Sequence, residues 1–230
     1  MRQQIPRVDI SHRLAALLHD APEYVIGDMI SPFKAVLGGS YKSVEKRLLG
    51  AIHIRFGLPA ELAPEIDIVI TRAHVLRGEW AALYDELRAM REACGDARMK
   101  AILATGDLKS LENVARASHV AMQAGADWIK TSTGKEGVNA TLPVSLVMCR
   151  AIRDYRDQTG HVVGFKPAGG LRTAKDALNW QVLMAEELGR DWLRPDLFRI
   201  GASSLLGDIE RQISHHVTGR YAAGYRQALA

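Results

Sequence analysis

Two stretches decide how this chain is read: Ala126-Asp-Trp-Ile-Lys-Thr-Ser-Thr-Gly-Lys135 and Val162-Val-Gly-Phe-Lys-Pro-Ala-Gly-Gly170. Each is a short apolar run that ends in a lysine, Lys130 or Lys166, and passes at once into a loop of small residues. A lysine is costly to bury unless it changes its charge state or finds partners. Two of them at the ends of consecutive strands point to an amine kept nucleophilic by a cationic neighbour, which is Schiff-base chemistry.

Working outward, the residues from about 66 to 217 alternate short β-rich runs with longer helix-period segments. The expected strands are Ile66–Ile70, Met99–Thr105, Asp127–Thr131, His161–Lys166 and Leu197–Gly201. The expected helices cover roughly 78–93, 108–124, 142–157 and 174–189, with another after 204. Strands recur every 28 to 36 residues or so, the length of a βα unit, which calls for a parallel sheet with helical crossovers. The strands read as apolar on both faces, as buried parallel strands do.

The first 60 residues are written differently. Arg13-Leu-Ala-Ala-Leu-Leu-His-Asp20 and Ser43-Val-Glu-Lys-Arg-Leu-Leu-Gly-Ala-Ile-His53 read as amphipathic helices, separated by loops that Pro22, Gly27, Pro32 and Gly38-Gly39 punctuate. No strand period occurs before residue 65, and Phe56-Gly-Leu-Pro-Ala-Glu-Leu-Ala-Pro64 reads as the junction. The expected division is a helical segment 1–65 and an α/β segment 66–230.

Composition narrows the partners. A hydrophobic content of 47% and a charged content of 24% are ordinary for a globular chain. No apolar run approaches the ~20 residues that span a bilayer, so no membrane partner is expected. The net charge is +4 with few aromatic residues and no long basic run, so no nucleic-acid partner is expected and an anionic small substrate accounts for the charge. Cys94 and Cys149 form neither a disulfide framework nor a metal-ligand spacing, and the N-terminus is no secretory signal, so a cytoplasmic setting is expected.

The chemistry can be built from the residues. A lysine at its usual pKa of about 10.4 is protonated at neutral pH and cannot attack a carbonyl, whereas a second ammonium nearby disfavours the charged form. Asp67, flanked by isoleucines, is the candidate for moving protons during carbinolamine and enamine steps. Thr131-Ser-Thr-Gly-Lys135, Gly169-Gly170 and Gly201-Ala-Ser-Ser204 each follow a strand, and backbone amides in such loops bind phosphate oxygens. Lys135 and Arg172 would add charge to that site.

Asp67 in Glu-Ile-Asp-Ile-Val, Lys130 in Ile-Lys-Thr-Ser-Thr-Gly-Lys and Lys166 in Gly-Phe-Lys-Pro-Ala-Gly-Gly resemble the deoxyribose-phosphate aldolase family. So do Lys100-Ala-Ile-Leu-Ala-Thr-Gly and Arg199-Ile-Gly-Ala-Ser-Ser-Leu-Leu, and the likeness runs from about Ile66 to Ala223. It implies a class I aldolase on a (β/α) barrel, cleaving 2-deoxyribose 5-phosphate to glyceraldehyde 3-phosphate and acetaldehyde without metal or organic cofactor. Lys130 would form the Schiff base, Lys166 would lower its pKa, Asp67 would transfer protons and Lys100 would be a polar neighbour. Gly134, Lys135, Gly169, Gly170, Ser203 and Ser204 would hold the substrate phosphate. Strands resembling only the last five of the family's eight units occur, so the expectation is a partial barrel with two open sheet edges. Burying them calls for a homodimer or a higher oligomer.

The segment around His19-Asp-Ala-Pro-Glu-Tyr-Val-Ile-Gly-Asp28 resembles an HD-domain phosphohydrolase. His19 and Asp20 would be its metal ligands, but such a centre needs a further His and Asp from separate helices, so no metal is expected. The chain thus reads as a chimera joined near residues 60–66. A metal-dependent phosphohydrolase and a catalytically impaired fragment are the other functions considered.

Overall fold

Alternating strand and helix periods produce a parallel sheet crossed over by helices. The computed structural model describes residues 65–223. The helices read at 13–20 and 43–53, the junction at 56–64, the residues His19 and Asp20, and Tyr225 lie outside the described residues. The chain divides into two units, Met1–Ile66 and Asp67–Ala230. The strands are β1 (Glu65–Val69), β2 (Arg98–Ile102), β3 (Trp128–Lys130) and β4 (Gly164–Lys166), in the sheet order β1-β2-β3-β4. The helices are α1 (Arg72–Arg77), α2 (Trp80–Cys94), α3 (Leu111–Gln123), α4 (Leu142–Thr159), α5 (Ala174–Leu188) and α6 (Leu205–Thr218).

Register assigns the two faces of the sheet. Ala101, Ile129 and Phe165 stand in line across β2, β3 and β4. All three are fully buried and join Leu87, Ala121, Met148 and Met184 of the helices in one hydrophobic cluster. The opposite face carries two further rows, Lys100–Trp128–Gly164 and Ile102–Lys130–Lys166. Because side chains alternate along a strand, Lys100, Lys130 and Lys166 share the face turned away from that cluster. The helices start where their sequences prescribe. Ser110 and Thr141 accept bonds from Asn113 N and Val144 N, and Thr173 with Asp176 forms a capping box.

Two expectations need correcting. The strand expected at Leu197–Gly201 is reduced to bridges pairing Phe165 with Phe198 and Ala168 with Gly201. Phe165 N donates to Leu197 O (2.8 Å), Arg199 N to Phe165 O (3.3 Å) and Gly201 N to Pro167 O (2.8 Å). The next donor in that ladder would be residue 167, a proline with no N–H, so the pairing is interrupted there. Nor is every strand apolar and buried on both faces: along β1 burial alternates, and Val69 is 42% exposed, as on a sheet edge.

Buried tryptophans tie α5 to α4, and the segment after α5 to the chain entering β4, through their ring nitrogens. Trp180 Nε1 donates to Ser145 Oγ at 3.0 Å and Trp192 Nε1 to the Val163 carbonyl at 3.2 Å. Trp128 has a sharper requirement. A Cβ on its register partner Gly164 would lie 2.4 Å from the indole ring. Gly164→Ala is therefore expected to destabilise the fold by about 3 kcal/mol through overpacking. That corresponds to a melting temperature roughly 10 °C lower, read by calorimetry.

Candidate active site

A charged cluster forms where β1, β2 and β3 place one carboxylate between two lysines. Asp67 on β1 accepts from Lys100 Nζ through Oδ1 and from Lys130 Nζ through Oδ2, both at 2.8 Å. The side chains of Lys100 and Lys130 are only 5% and 12% exposed, whereas that of Asp67 is 38% exposed on the edge strand. The carboxylate is thus the part of the cluster in touch with solvent, and the lysines approach it from inside. Lys100 also lies 5.9 Å from the centroid of the Trp128 ring, whose other neighbour is the Arg199 guanidinium at 4.5 Å.

Burial raises the pKa of Asp67, but the charges of Lys100 and Lys130 and their hydrogen bonds outweigh it, lowering the value from 3.8 to about 2. The carboxylate is therefore ionised throughout the physiological range and available as a proton acceptor.

Lys166 stands directly across from Lys130 in the β3–β4 register. Neighbouring strands run about 4.8 Å apart, so the two lysines leave the sheet side by side on the same face. Lys166 extends towards the following segment, where a Cβ on Gly201 would stand 3.4 Å from its Cε. Of the four residues read as catalytic, Lys130 and Lys166 end β3 and β4, while Asp67 and Lys100 lie mid-strand on β1 and β2, with Asp67 bonded to both Lys100 and Lys130.

The small-residue loops emerge from the same end. Ser132 Oγ donates to the Ala168 carbonyl at 2.5 Å, Ala168 N donates to Thr131 Oγ1 at 2.9 Å, and Gly169 N donates to Gly201 O at 3.1 Å. These bonds align the loops after β3 and β4 and the segment before α6. Gly169 and Gly170 have φ of +82° and +88°, and a Cβ on Gly169 would meet Asn139 at 2.7 Å, so this turn requires glycine. Gly134 approaches the Gly169 Cα, with 3.8 Å to an added Cβ. Ser203, Ser204, Lys135 and Arg172 are exposed around the same rim.

The two nearby helix starts differ. At the start of α5, Arg172 N and Thr173 N donate to Asp176 Oδ2 and Ala174 N donates to Asp208 Oδ2 (2.8 Å), so internal carboxylates already occupy that terminus. Ser204 precedes α6 without a side-chain cap bond. The Gly201–Ser204 start thus fits an external anion better than the Arg172 start does.

Two further titratable side chains lie apart from this cluster. His215 is exposed and stacks on Tyr221 at 4.3 Å between centroids. Cys149 is buried with its Sγ 3.6 Å from Met184 Sδ, and burial raises its pKa, as for an inert core thiol. Among the described residues, no group of three or more His, Cys, Asp or Glu could hold a metal. No described helix is long and apolar enough to cross a membrane. The sequence reading missed Glu136 and Asn139, although Thr133-x-x-Glu136 has the spacing of a capping box.

A lysine-and-carboxylate cluster on one face of a parallel sheet, with loops of small residues beside it, is a site equipped for amine and carboxylate chemistry. The chain belongs to the DeoC/LacD family of aldolases, whose family model matches residues 59–209. Over 161 residues it is 69% identical to a deoxyribose-phosphate aldolase of Mus musculus and 66% identical to one of Homo sapiens. Each match covers 70% of this chain and 51% of the relative, so the chain spans about half the length of the curated relatives it matches. Its fold is also similar to the tetrameric deoxyribose-phosphate aldolase structure from Aeropyrum pernix. The TM-score is 0.54 at 19% identity, over 91% of this chain and 87% of that one.

Proposed function

We propose that this chain is a class I aldolase that cleaves 2-deoxyribose 5-phosphate to glyceraldehyde 3-phosphate and acetaldehyde. The observation that carries the reading is the bridging of Lys100 and Lys130 by Asp67, with Lys166 across from Lys130 in register. The relatives named deoxyribose-phosphate aldolase support the substrate class.

In this reading the Lys130 amine attacks the aldehyde carbon of the open-chain sugar, and the carbinolamine loses water to give an iminium. Deprotonation of the C3 hydroxyl breaks the C2–C3 bond, releases glyceraldehyde 3-phosphate and leaves an enamine on Lys130. Protonation at C2 and hydrolysis then release acetaldehyde and restore the lysine. Asp67, working with water, carries protons in these steps. Lys166 is the neighbouring amine across from Lys130, and Lys100 holds Asp67 in place. The Gly169–Gly170 turn, Gly134, Lys135, Arg172, Ser203 and Ser204 form the phosphate rim, and no metal or organic cofactor enters the sequence.

The architecture that goes with this reading is a partial (β/α) barrel over residues 66–230, preceded by a distinct segment 1–65. Its open edges are covered in a homodimer or higher oligomer, and a reducing cytoplasm suits its two thiols. A second copy is the occupant we favour because α6 leaves Leu206 (50%), Ile213 (58%) and Val217 (74%) exposed.

The test is borohydride reduction in the presence of substrate, followed by peptide mass spectrometry. A reduced two-carbon adduct on Lys130 is the expected result, and it should persist in chelator. Adduct formation elsewhere, or none, would remove the reading.

A further inference from the structure

The loop between β3 and α4 is held at its start by the bonds of Thr131 and Ser132 to Ala168 and at its end by close backbone approach. A Cβ on Gly106 would stand 2.0 Å from the Val138 carbonyl oxygen, and one on Gly169 would stand 2.7 Å from Asn139 Cβ. Ala140 N donates to Ala168 O at 3.2 Å, fixing the same flank. The middle of the loop, Thr133–Lys135, is exposed and has no regular structure, so local bonds must shape it.

Those bonds converge on one carboxylate. Glu136 accepts from Thr133 N at 3.0 Å through each oxygen, from Thr133 Oγ1 at 2.8 Å, from Gly134 N at 3.1 Å and from Lys135 N at 3.2 Å. Asn139 Nδ2 in turn donates to the Glu136 carbonyl at 2.8 Å, linking this knot to the residue that covers Gly169. Partial burial works against the charge of Glu136, but the Thr133 and Gly134 bonds hold its carboxyl below the usual range. Successive amides aimed at one anion make the kind of nest that elsewhere grips phosphate oxygens. Here an internal anion fills it.

We propose that Glu136 is a positioning residue for the substrate phosphate: by closing the Thr133–Lys135 nest it fixes the loop that carries Lys135 against the Gly169–Gly170 turn. The proposal rests on the aldolase reading above, and the bond-breaking chemistry at Lys130 does not use Glu136. The nest is not a reserve site that the phosphate empties. All its bonds come from within three residues and re-form without chain movement. A carboxylate expelled from it would also face the incoming dianion. The loop's contribution to phosphate binding is then the Lys135 side chain, with Gly134 in the rim for the close approach its missing side chain permits, since its amide is held by Glu136.

The test compares the full-length chain with its Glu136→Ala and Glu136→Gln variants on 2-deoxyribose 5-phosphate and on unphosphorylated 2-deoxyribose. Glu136→Ala is expected to raise KM for the phosphorylated substrate about tenfold with kcat within about twofold, and to leave kcat/KM for the unphosphorylated sugar unchanged. Glu136→Gln keeps an acceptor for the amides and is expected to recover most of that KM. An unchanged KM in Glu136→Ala overturns the proposal. So does a KM that falls in both variants, which would mark a displaceable placeholder, or an equal loss on both sugars, which would mark a general structural role. Borohydride trapping of the wild-type chain is read first. A missing adduct overturns the aldolase reading and this proposal with it, while an adduct accompanied by an unmoved KM overturns this proposal alone.

Discussion

Replacing Lys130 by alanine is expected to lower kcat on 2-deoxyribose 5-phosphate by about 10⁴-fold and to abolish the borohydride adduct. The size follows from the role: the covalent intermediate has no other primary amine in the same place. Lys100 is held on the other oxygen of Asp67, and Lys166 leaves the neighbouring strand directly across from Lys130, a strand spacing away. Lys130→Arg separates chemistry from charge. It restores a cation for the Asp67 carboxylate, but a guanidinium stays protonated and is no nucleophile, so it should be as inactive as alanine. Thermal unfolding of Lys130→Arg close to that of the parent would show that the loss is chemical. Appreciable cleavage by either variant would remove Lys130 from its role.

Asp67→Ala is expected to damage activity and stability together. With Asp67 in the proposed proton-transfer role, its removal should lower kcat by about 10² to 10⁴-fold. It also takes away the carboxylate that Lys100 and Lys130 share, with Lys100 only 5% exposed. Breaking a fully buried pair costs about 3–5 kcal/mol. The 38% exposure of Asp67 lets water screen it, so a loss of about 1–3 kcal/mol is expected here. The pH dependence has a definite sign. The folded pKa of Asp67 is about 2, below the 3.8 of the free side chain. Its contribution is therefore complete above roughly pH 4 and is lost as the pH falls through 2. The difference in stability between parent and Asp67→Ala should stay flat from neutral pH down to about 5 and shrink below 4. A difference that grew on acidification would contradict the ion-pair geometry.

Much of this site could be read along the chain because its residues sit in short, local motifs. A lysine at the end of an apolar run followed by Thr-Ser-Thr-Gly or Pro-Ala-Gly-Gly declares a strand and its loop together. Helix spans were equally legible, since Ser110, Thr141 and Thr173 supply their own caps. The fifth strand was overestimated because the periodicity of Leu197–Gly201 carries no information about its partner. The interruption comes from Pro167, on the neighbouring strand, whose missing N–H matters only once the two segments are paired. Glu136 was overlooked for the opposite reason. Its spacing from Thr133 was visible, but a capping pattern without a helix behind it gives no cause to look.

Sequence alone determined the family, the α/β alternation and the residue types of the site, because strand period, turn chemistry and lysine placement are local properties. Tertiary structure decided which groups meet. The register that sets Lys130 beside Lys166, the single carboxylate of Asp67 shared between Lys100 and Lys130, and the nest closed on Glu136 all depend on how segments pair or turn back on themselves. Such pairings follow from hydrogen-bond register and packing between segments distant in sequence, which no local pattern encodes.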